Sequence, residues 1–185
     1  MWRGLPRIEP LRSEDSVSSN YNYTTMPVYL LYVKAELENV GTLKFKGTSF
    51  CIDVKEVGGD DIRRGVHVDA SEHEEIPGGK GSANFTMKWK ESKRDASITV
   101  TIVKGLTRDI KGDDHDKWVP IATLECRGLE PVGYTPEGDW EVISNVGTVF
   151  KDIDMSELEW TDYDEKLGES IGVYKITGKF ELHRS

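Results

Sequence analysis

Apolar side chains recur at every second position in many short runs of this chain, and glycine-rich turns separate the runs. The clearest run is residues 83–90 (ANFTMKWK), in which apolar and polar side chains alternate. Alternate side chains of an extended strand point to opposite faces, so this period is typical of strands with one buried face. A helix would instead need apolar residues three and four positions apart. The chain is therefore predicted to be mainly β.

The predicted strands follow one another without long helical segments between them. Runs of this kind occupy residues 28–37, 50–54, 66–68, 83–89, 98–102, 122–126, 140–142, 146–150 and 174–182. Many short strands with glycine-rich turns favour two packed antiparallel sheets or a partly open barrel. The runs 83–89 and 98–102 flank a polar stretch and predict a hairpin. One short helical segment is predicted within residues 156–169, where Asp154 and Ser156 offer capping side chains.

The first 26 residues differ from the rest of the chain. They are rich in serine and asparagine and show little periodicity, which predicts a flexible N-terminal tail over residues 1–26. Residues 27–185 are predicted to form a single β-rich domain, long enough to bury a core. No secretory signal is visible, so the predicted location is cytoplasmic. Import into mitochondria through the arginines of residues 1–25 is an alternative, although acidic residues and prolines oppose a presequence helix there.

The net charge of the chain disfavours two classes of partner. It is −9 at pH 7, which repels nucleic-acid phosphates and anionic lipid. No apolar run approaches the roughly 20 residues that span a bilayer. We therefore expect neither a nucleic-acid partner nor a membrane partner.

Catalytic motifs are not visible in the sequence. The four histidines, His67, His73, His115 and His183, are scattered, and no nucleophile elbow, His-Glu-x-x-His spacing or phosphate-binding loop occurs. The acidic residues 112–116 lack the ligand spacing of a calcium loop. We predict that the chain is not an enzyme, with an enzyme whose site is unrecognised as one alternative.

The two cysteines, Cys51 and Cys126, lie far apart and have no Cys-x-x-Cys partner. Neither a disulfide framework nor a thiolate metal site is predicted from them. Cys51 lies in an apolar run and is predicted to be a buried structural thiol.

The C-terminal third contains an acidic segment. Residues 151–170 hold eight carboxylates against two lysines, together with Trp160 and Tyr163. Such a patch suits a basic protein partner. A solvated face with two core aromatics is the more common outcome for a charge run, and both interpretations are open.

Four sequence motifs resemble a known family. They are residues 28–40 (VYLLYVKAELENV), 77–83 (PGGKGSA), 125–132 (ECRGLEPV), and 160–166 (WTDYDEK) with 171–174 (IGVY). Over about residues 28–182, these motifs and their order resemble the eukaryotic CXXC-motif-containing zinc-binding protein family. We call residues 125–132 the ECRGLEPV segment.

The resemblance implies a zinc site that this chain lacks. Family members carry two Cys-x-x-Cys pairs around the central loop, and four thiolates at that spacing hold a structural zinc. Residue by residue, these positions fall on Glu56, Gly59, Trp89 and Ser92, none of which is a thiol. We therefore predict no metal and no cofactor, with Trp89 either filling the volume of the lost zinc or exposed as a partner contact.

The resemblance implies a cytosolic protein without established catalysis. We predict a monomeric, non-catalytic protein-interaction module with an unknown protein partner, for which a basic protein is one candidate. The alternative is a metal-binding module with non-cysteine ligands, for which Glu56, Asp60, Asp61 and a histidine are the first candidates. Polar and aromatic residues outside the buried alternation suit a recognition surface. The predicted binding residues are Arg127, Glu130, Trp160, Asp162, Tyr163, Asp164 and Glu165.

Overall fold

The computed structural model describes residues 26–184, so the predicted tail lies outside the described residues except for Met26. The strands are β1 (Val28–Glu38), β2 (Val40–Phe45), β3 (Ser49–Glu56), β4 (Ile62–Asp69), β5 (Glu74–Glu75), β6 (Ser82–Ala83), β7 (Phe85–Lys88), β8 (Asp95–Thr101), β9 (Ile110–Lys111), β10 (Val119–Arg127), β11 (Leu129–Thr135), β12 (Trp140–Ser144), β13 (Val149–Ile153), β14 (Trp160–Asp164) and β15 (Glu169–Leu182). Within these residues the only helical element is a 3-10 turn at Gly112–Asp114, and no helix is long and apolar enough to cross a membrane. The prediction of a mainly β fold is confirmed.

The strands form packed antiparallel sheets. The largest has six strands in the order β14-β15-β1-β10-β8-β7, the next has four in the order β13-β12-β2-β9, and a third has three in the order β11-β3-β4. A single residue, Asn39, joins β1 to β2 with a φ of 56°. Asparagine tolerates this left-handed conformation better than most residues. The chain therefore passes from the six-stranded to the four-stranded sheet in one tight turn.

The core lies between the sheets and takes residues from each of them. Leu31 of β1, Ile52 of β3, Ile98 of β8 and Trp140 of β12 are all fully buried in one cluster. The Phe45 ring extends the packing, with its centroid 5.1 Å from that of Trp140. Fully burying a large apolar side chain stabilises a fold by about 1.5–3 kcal/mol. This core is what holds the sheets together.

The predicted hairpin is present. β7 pairs with β8 so that Phe85 lies opposite Ile98 and Lys88 lies opposite Asp95. The hairpin adds the last two strands to one side of the six-stranded sheet.

The predicted helical segment at residues 156–169 is wrong. Asp154 does accept a hydrogen bond from the Ser156 amide at 3.0 Å, but this contact stabilises a turn. The following residues form β14, in which Trp160 lies opposite Val173. Because β14 is at the edge of its sheet and mostly exposed, it shows no alternation that would have identified it as a strand.

Candidate functional site

Two hairpin turns bring together the four positions that correspond to the zinc ligands of the family that this sequence resembles. The β3–β4 turn begins after Glu56 and contains Gly59, whose amide donates to the Glu56 carbonyl at 3.3 Å. The β7–β8 turn begins at Trp89, whose amide donates to the Arg94 carbonyl at 2.9 Å, and contains Ser92. The backbone therefore retains a paired-turn arrangement.

The side chains between the turns form a closed polar cluster. The Glu56 carboxylate is buried, and its Oε1 accepts a hydrogen bond from the Ser92 hydroxyl at 2.5 Å. The Arg94 guanidinium lies 3.0 Å from the same oxygen. We call these three residues the Glu56 cluster. A buried carboxylate is tolerated only with such partners, so the cluster stabilises the contact between the turns.

Gly59 leaves the space that the Glu56 carboxylate occupies. A Cβ atom at position 59 would lie 2.6 Å from Glu56 Oε2. That carboxylate is held by Ser92 and Arg94, so it could not move aside without losing these contacts. The glycine at a family ligand position and the glutamate at another are therefore complementary.

Trp89 is buried at 3% exposure and belongs to the core cluster. Its indole Nε1 donates to the carbonyl of Gly128 at 3.0 Å, which ties the β7–β8 turn to the ECRGLEPV segment. Gly128 has a φ of 72°, and a Cβ there would lie 2.5 Å from the Asp95 carbonyl oxygen, so only glycine fits. Trp89 is therefore a buried core residue, and the alternative of an exposed Trp89 is wrong.

The four-thiolate zinc site that the resemblance implies does not fit these residues. Gly59 offers no side-chain donor, and the Trp89 indole can only donate a hydrogen bond. The Glu56 carboxylate is already paired with Arg94, whose positive charge would repel a metal ion. Ser92 supplies a neutral hydroxyl in place of a thiolate. These positions cannot form a CXXC zinc site.

A groove lies beside the ECRGLEPV segment. Its cavity volume is about 420 Å³, and its lining includes Met26, Pro27, Val57, Arg127 and Leu129. Of the predicted binding residues, Arg127 lies on the groove and is exposed, and Glu130 is exposed on β11. We call this cavity the ECRGLEPV groove.

The predicted binding residues of the acidic segment divide into exposed and buried side chains. Asp162, Tyr163 and Glu165 are exposed, as a binding surface requires. Trp160 is half-buried, and its ring packs edge-on against Phe150 with centroids 5.2 Å apart.

Asp164 is the buried member of the acidic segment. It accepts hydrogen bonds from the Thr148 hydroxyl at 2.9 Å and from the Lys166 amide at 3.0 Å. Hydrogen bonds, led by those from the side chains of Ser144 and Thr148, hold the pKa of Asp164 below its usual range although burial opposes this. These contacts assign Asp164 to the architecture of the turn after β14.

A further polar cluster is formed by Cys51, His67 and Glu137, and the sequence pattern does not reveal it. Their Sγ, ring-nitrogen and carboxylate atoms all lie within 4.8 Å of one another. His67 Nε2 contacts Glu137 Oε1. Burial raises the pKa of the Cys51 thiol, and the Glu137 carboxylate raises it further. The three residues are far apart in sequence, so only the strand register could have brought them together.

Comparison with known proteins gives a consistent result. The sequence profile described as "CXXC motif containing zinc binding protein, eukaryotic" matches residues 30–181. The CXXC motif containing zinc binding protein of Bos taurus is 36% identical over 154 residues, which cover 81% of this chain and 95% of the relative. Its counterpart in Homo sapiens is 34% identical over 154 residues, with the same shares covered.

Two solved structures share the fold. One, described as the crystal structure of C1orf123, superposes with a TM-score of 0.77 at 31% identity and covers 84% of this chain and 99% of its own. A hypothetical protein from Plasmodium falciparum superposes with a TM-score of 0.74 at 25% identity, with the same shares covered. The match in sequence and fold extends through both hairpin turns, so the chain belongs to the eukaryotic family of CXXC motif containing zinc binding proteins, as a divergent member with only two cysteines.

Proposed function

We propose that this protein is a non-catalytic protein-interaction module that binds a protein partner in the ECRGLEPV groove and keeps its fold without the family's zinc. The observation that carries this proposal is the position of the groove. It adjoins the ECRGLEPV segment, which Trp89 fixes through its hydrogen bond to Gly128. A preformed cavity on a rigid support is a suitable site for an anchoring side chain of a partner.

The chemistry of the groove indicates what would fill it. Val57 is 41% exposed and Met26 is 36% exposed, so the groove presents apolar surface to solvent. Arg127 lies beside them and forms no ion pair with another residue of the described range 26–184. An apolar partner side chain next to a carboxylate would use both features.

The state of the two thiols supports a non-catalytic role. A nucleophilic cysteine has a lowered pKa, because the thiolate is the reactive form. Burial raises the pKa of Cys126 to about 12, and burial together with Glu137 raises that of Cys51. Both shifts keep the free thiols protonated and therefore oppose a nucleophilic role for either cysteine.

The acidic segment supports a different role from the groove. β14 lies at one edge of the six-stranded sheet, and its exposed Asp162 is followed by exposed Glu165. Charged residues on an edge strand oppose pairing with the edge of another sheet. We therefore assign these charges to protection of the edge, and a basic partner at this segment is the competing proposal.

Capture of partners from cell extract by the tagged full-length chain, followed by quantitative mass spectrometry, tests the proposal. The groove variants are Val57→Asp and Arg127→Glu. The matched control is Val149→Asp, because Val149 is also an exposed valine, at 47%, and does not line the groove. Asp162→Lys probes the acidic segment.

We expect one or more proteins to be recovered with wild type, Val149→Asp and Asp162→Lys, and to be lost with both groove variants. Loss of a hot-spot contact weakens binding by about 2 kcal/mol or more, roughly 30-fold. Titration of the recovered protein against each variant measures this change. Equal recovery by all four variants would exclude the groove. Selective loss with Asp162→Lys would move the binding site to the acidic segment.

A further inference from the structure

Cys51 lies on the outer face of the three-stranded sheet. Its neighbours Phe50 and Ile52 join the core cluster, whereas Cys51 does not. It is nevertheless buried, at 7% exposure. The register explains this, since His67 lies opposite Cys51 on one side and Thr135 lies opposite it on the other. The polar side chains of His67 and Thr135 therefore flank the Cys51 thiol on the face of the sheet that points away from the core.

The same register brings the ligating atoms together. Side chains directly opposite each other in an antiparallel pair have Cβ atoms about 4.5–5.5 Å apart, which sets the spacing of Cys51 and His67. Glu137 follows β11 by two residues and reaches back to contact His67. Three different ligand types thus converge from three adjacent chain segments.

The charges of the cluster suit a divalent cation. The one ion-pair partner of Glu137 within residues 26–184 is His67, so no lysine or arginine there neutralises its carboxylate. Binding of a cation would displace the proton of the Cys51 thiol to solvent. The resulting thiolate and the Glu137 carboxylate together supply two negative charges, and a neutral imidazole supplies a third ligand.

We propose that Cys51, His67 and Glu137 bind one zinc-class divalent cation, with a fourth position open to solvent. Sulfur, imidazole nitrogen and carboxylate oxygen together are ligands that zinc accepts. Ligand bonds of about 2.0–2.3 Å in a tetrahedron place ligand atoms roughly 3.3–3.8 Å apart. The His67 side chain is 60% exposed and that of Glu137 is 35% exposed, so both can rotate to close the site, and the metal can enter between them.

This site is separate from the Glu56 cluster. Cys51 and Glu56 are five residues apart on the same strand, which separates them by about 17 Å at the rise of a strand. The proposal therefore concerns different residues from the four positions that the family uses for zinc.

Titration of the purified full-length chain with Zn²⁺ and with Co²⁺ tests the proposal. The decisive variants are His67→Gln and Glu137→Gln, because both side chains are partly exposed and substitutions at exposed positions usually change stability little. The matched controls are His73→Gln and Glu141→Gln, together with Glu56→Gln for the family position. Thermal melting of each variant confirms that it is folded.

Wild type and the three controls are expected to bind one equivalent of Zn²⁺ with the same affinity. His67→Gln and Glu137→Gln should each weaken binding by more than the roughly 10- to 100-fold that loss of an outer-shell partner costs. The Co²⁺ complex should show thiolate-to-cobalt charge-transfer absorption that Cys51→Ser abolishes. Equal affinity of the His67→Gln and His73→Gln variants would overturn the proposal, as would a charge-transfer band that survives in Cys51→Ser. Absence of binding by wild type would do the same.

Discussion

The two ends of strand β3 differ in how their polar side chains are satisfied. At one end Glu56 is held by Ser92 and Arg94, in the place where the family holds zinc. Toward the other end Cys51 lies with His67 and Glu137, three side chains of types that can ligate a metal. No lysine or arginine of residues 26–184 forms an ion pair with Glu137. The first end is closed by protein groups, and the second is open to a ligand.

This difference indicates that the fold can be retained when the zinc ligands are absent. At the Glu56 end, the buried Trp89 indole and the Glu56–Arg94 ion pair occupy the family ligand positions and their surroundings, and both turns have backbone hydrogen bonds. Burial of a tryptophan and a paired carboxylate suffices because the turns are already joined to a common core. The absence of the zinc cysteines therefore does not imply a change in the surrounding sheet.

Restoring the four thiolates should produce the largest effect. We expect the variant with Glu56, Gly59, Trp89 and Ser92 all changed to cysteine to bind zinc and to melt at a strongly zinc-dependent temperature. Structural zinc contributes about 10–16 kcal/mol of apparent binding free energy in zinc-finger peptides. Gly59→Cys is acceptable here because the contact that blocks a Cβ, the Glu56 carboxylate, is removed as well.

Differential scanning fluorimetry with and without chelator measures this dependence. The control keeps Trp89 and changes only the other three positions, which leaves three thiolates and an indole in the site. If the four-cysteine variant takes up no more zinc than wild type, the two turns do not have the geometry of a zinc site.

Trp89→Ala should have the next largest effect. It leaves a cavity in the core and removes the hydrogen bond to Gly128, so we expect the free energy of unfolding to fall by about 3–5 kcal/mol. Trp118→Ala is the control, because Trp118 is 37% exposed, lies outside the core cluster and makes cation–π contacts with Lys34 and Lys179. That change should cost about 1 kcal/mol. Denaturant unfolding measures both, and equal losses would show that Trp89 does not replace the zinc site as a structural element.

Asp164→Lys should lower the melting temperature clearly, whereas Asp162→Lys and Glu165→Lys should leave it nearly unchanged. The reason is that Asp164 is buried and hydrogen-bonded, like Glu56, and the other two are exposed. Comparable melting temperatures for all three variants would show that the contacts of Asp164 contribute little.

The same residue predicts a pH dependence. The pKa of Asp164 is lowered in the folded protein, chiefly by the Ser144 hydrogen bond. Its contribution to stability is therefore present above the unfolded pKa of about 3.9 and is lost as pH falls through the lower folded pKa. Asp164→Asn should remove this part of the acid sensitivity. Chemical unfolding of wild type and variant between neutral and acidic pH measures the difference.

The strands with a buried face were predictable from the sequence, and the others were not. The runs around Leu31, Ile52 and Ile98 alternate because one face of each strand meets the core. β11 contains Pro131 and Gly133, where the register shifts, and such residues indicate a turn. The short-range pattern therefore identifies core strands and fails at bulged and edge strands.

The two polar clusters show the same limit. The family positions Glu56 and Ser92 were found through resemblance, but their direct hydrogen bond and the role of Arg94 depend on how two turns pack. The Cys51 cluster depends on a register between three segments, which no local motif encodes. A search for paired cysteines finds neither arrangement.

Deletion of residues 1–25 should have the smallest effect. The deleted stretch has no apolar alternation with which to add a strand, and it contains no cysteine or histidine that could ligate a metal. Both ends of β3 lie within the retained chain, and the Cys126 amide keeps its 2.9 Å hydrogen bond to the Pro27 carbonyl. We therefore expect the free energy of unfolding of the truncated chain to lie within about 0.5 kcal/mol of that of the full chain. Its affinity for Zn²⁺ should be unchanged. A large drop in melting temperature would show that the deleted residues dock on the sheets. A drop confined to Zn²⁺ affinity would show that they cover the Cys51 cluster, and the contrast between a closed and an open end of β3 would then hold only for the shortened chain.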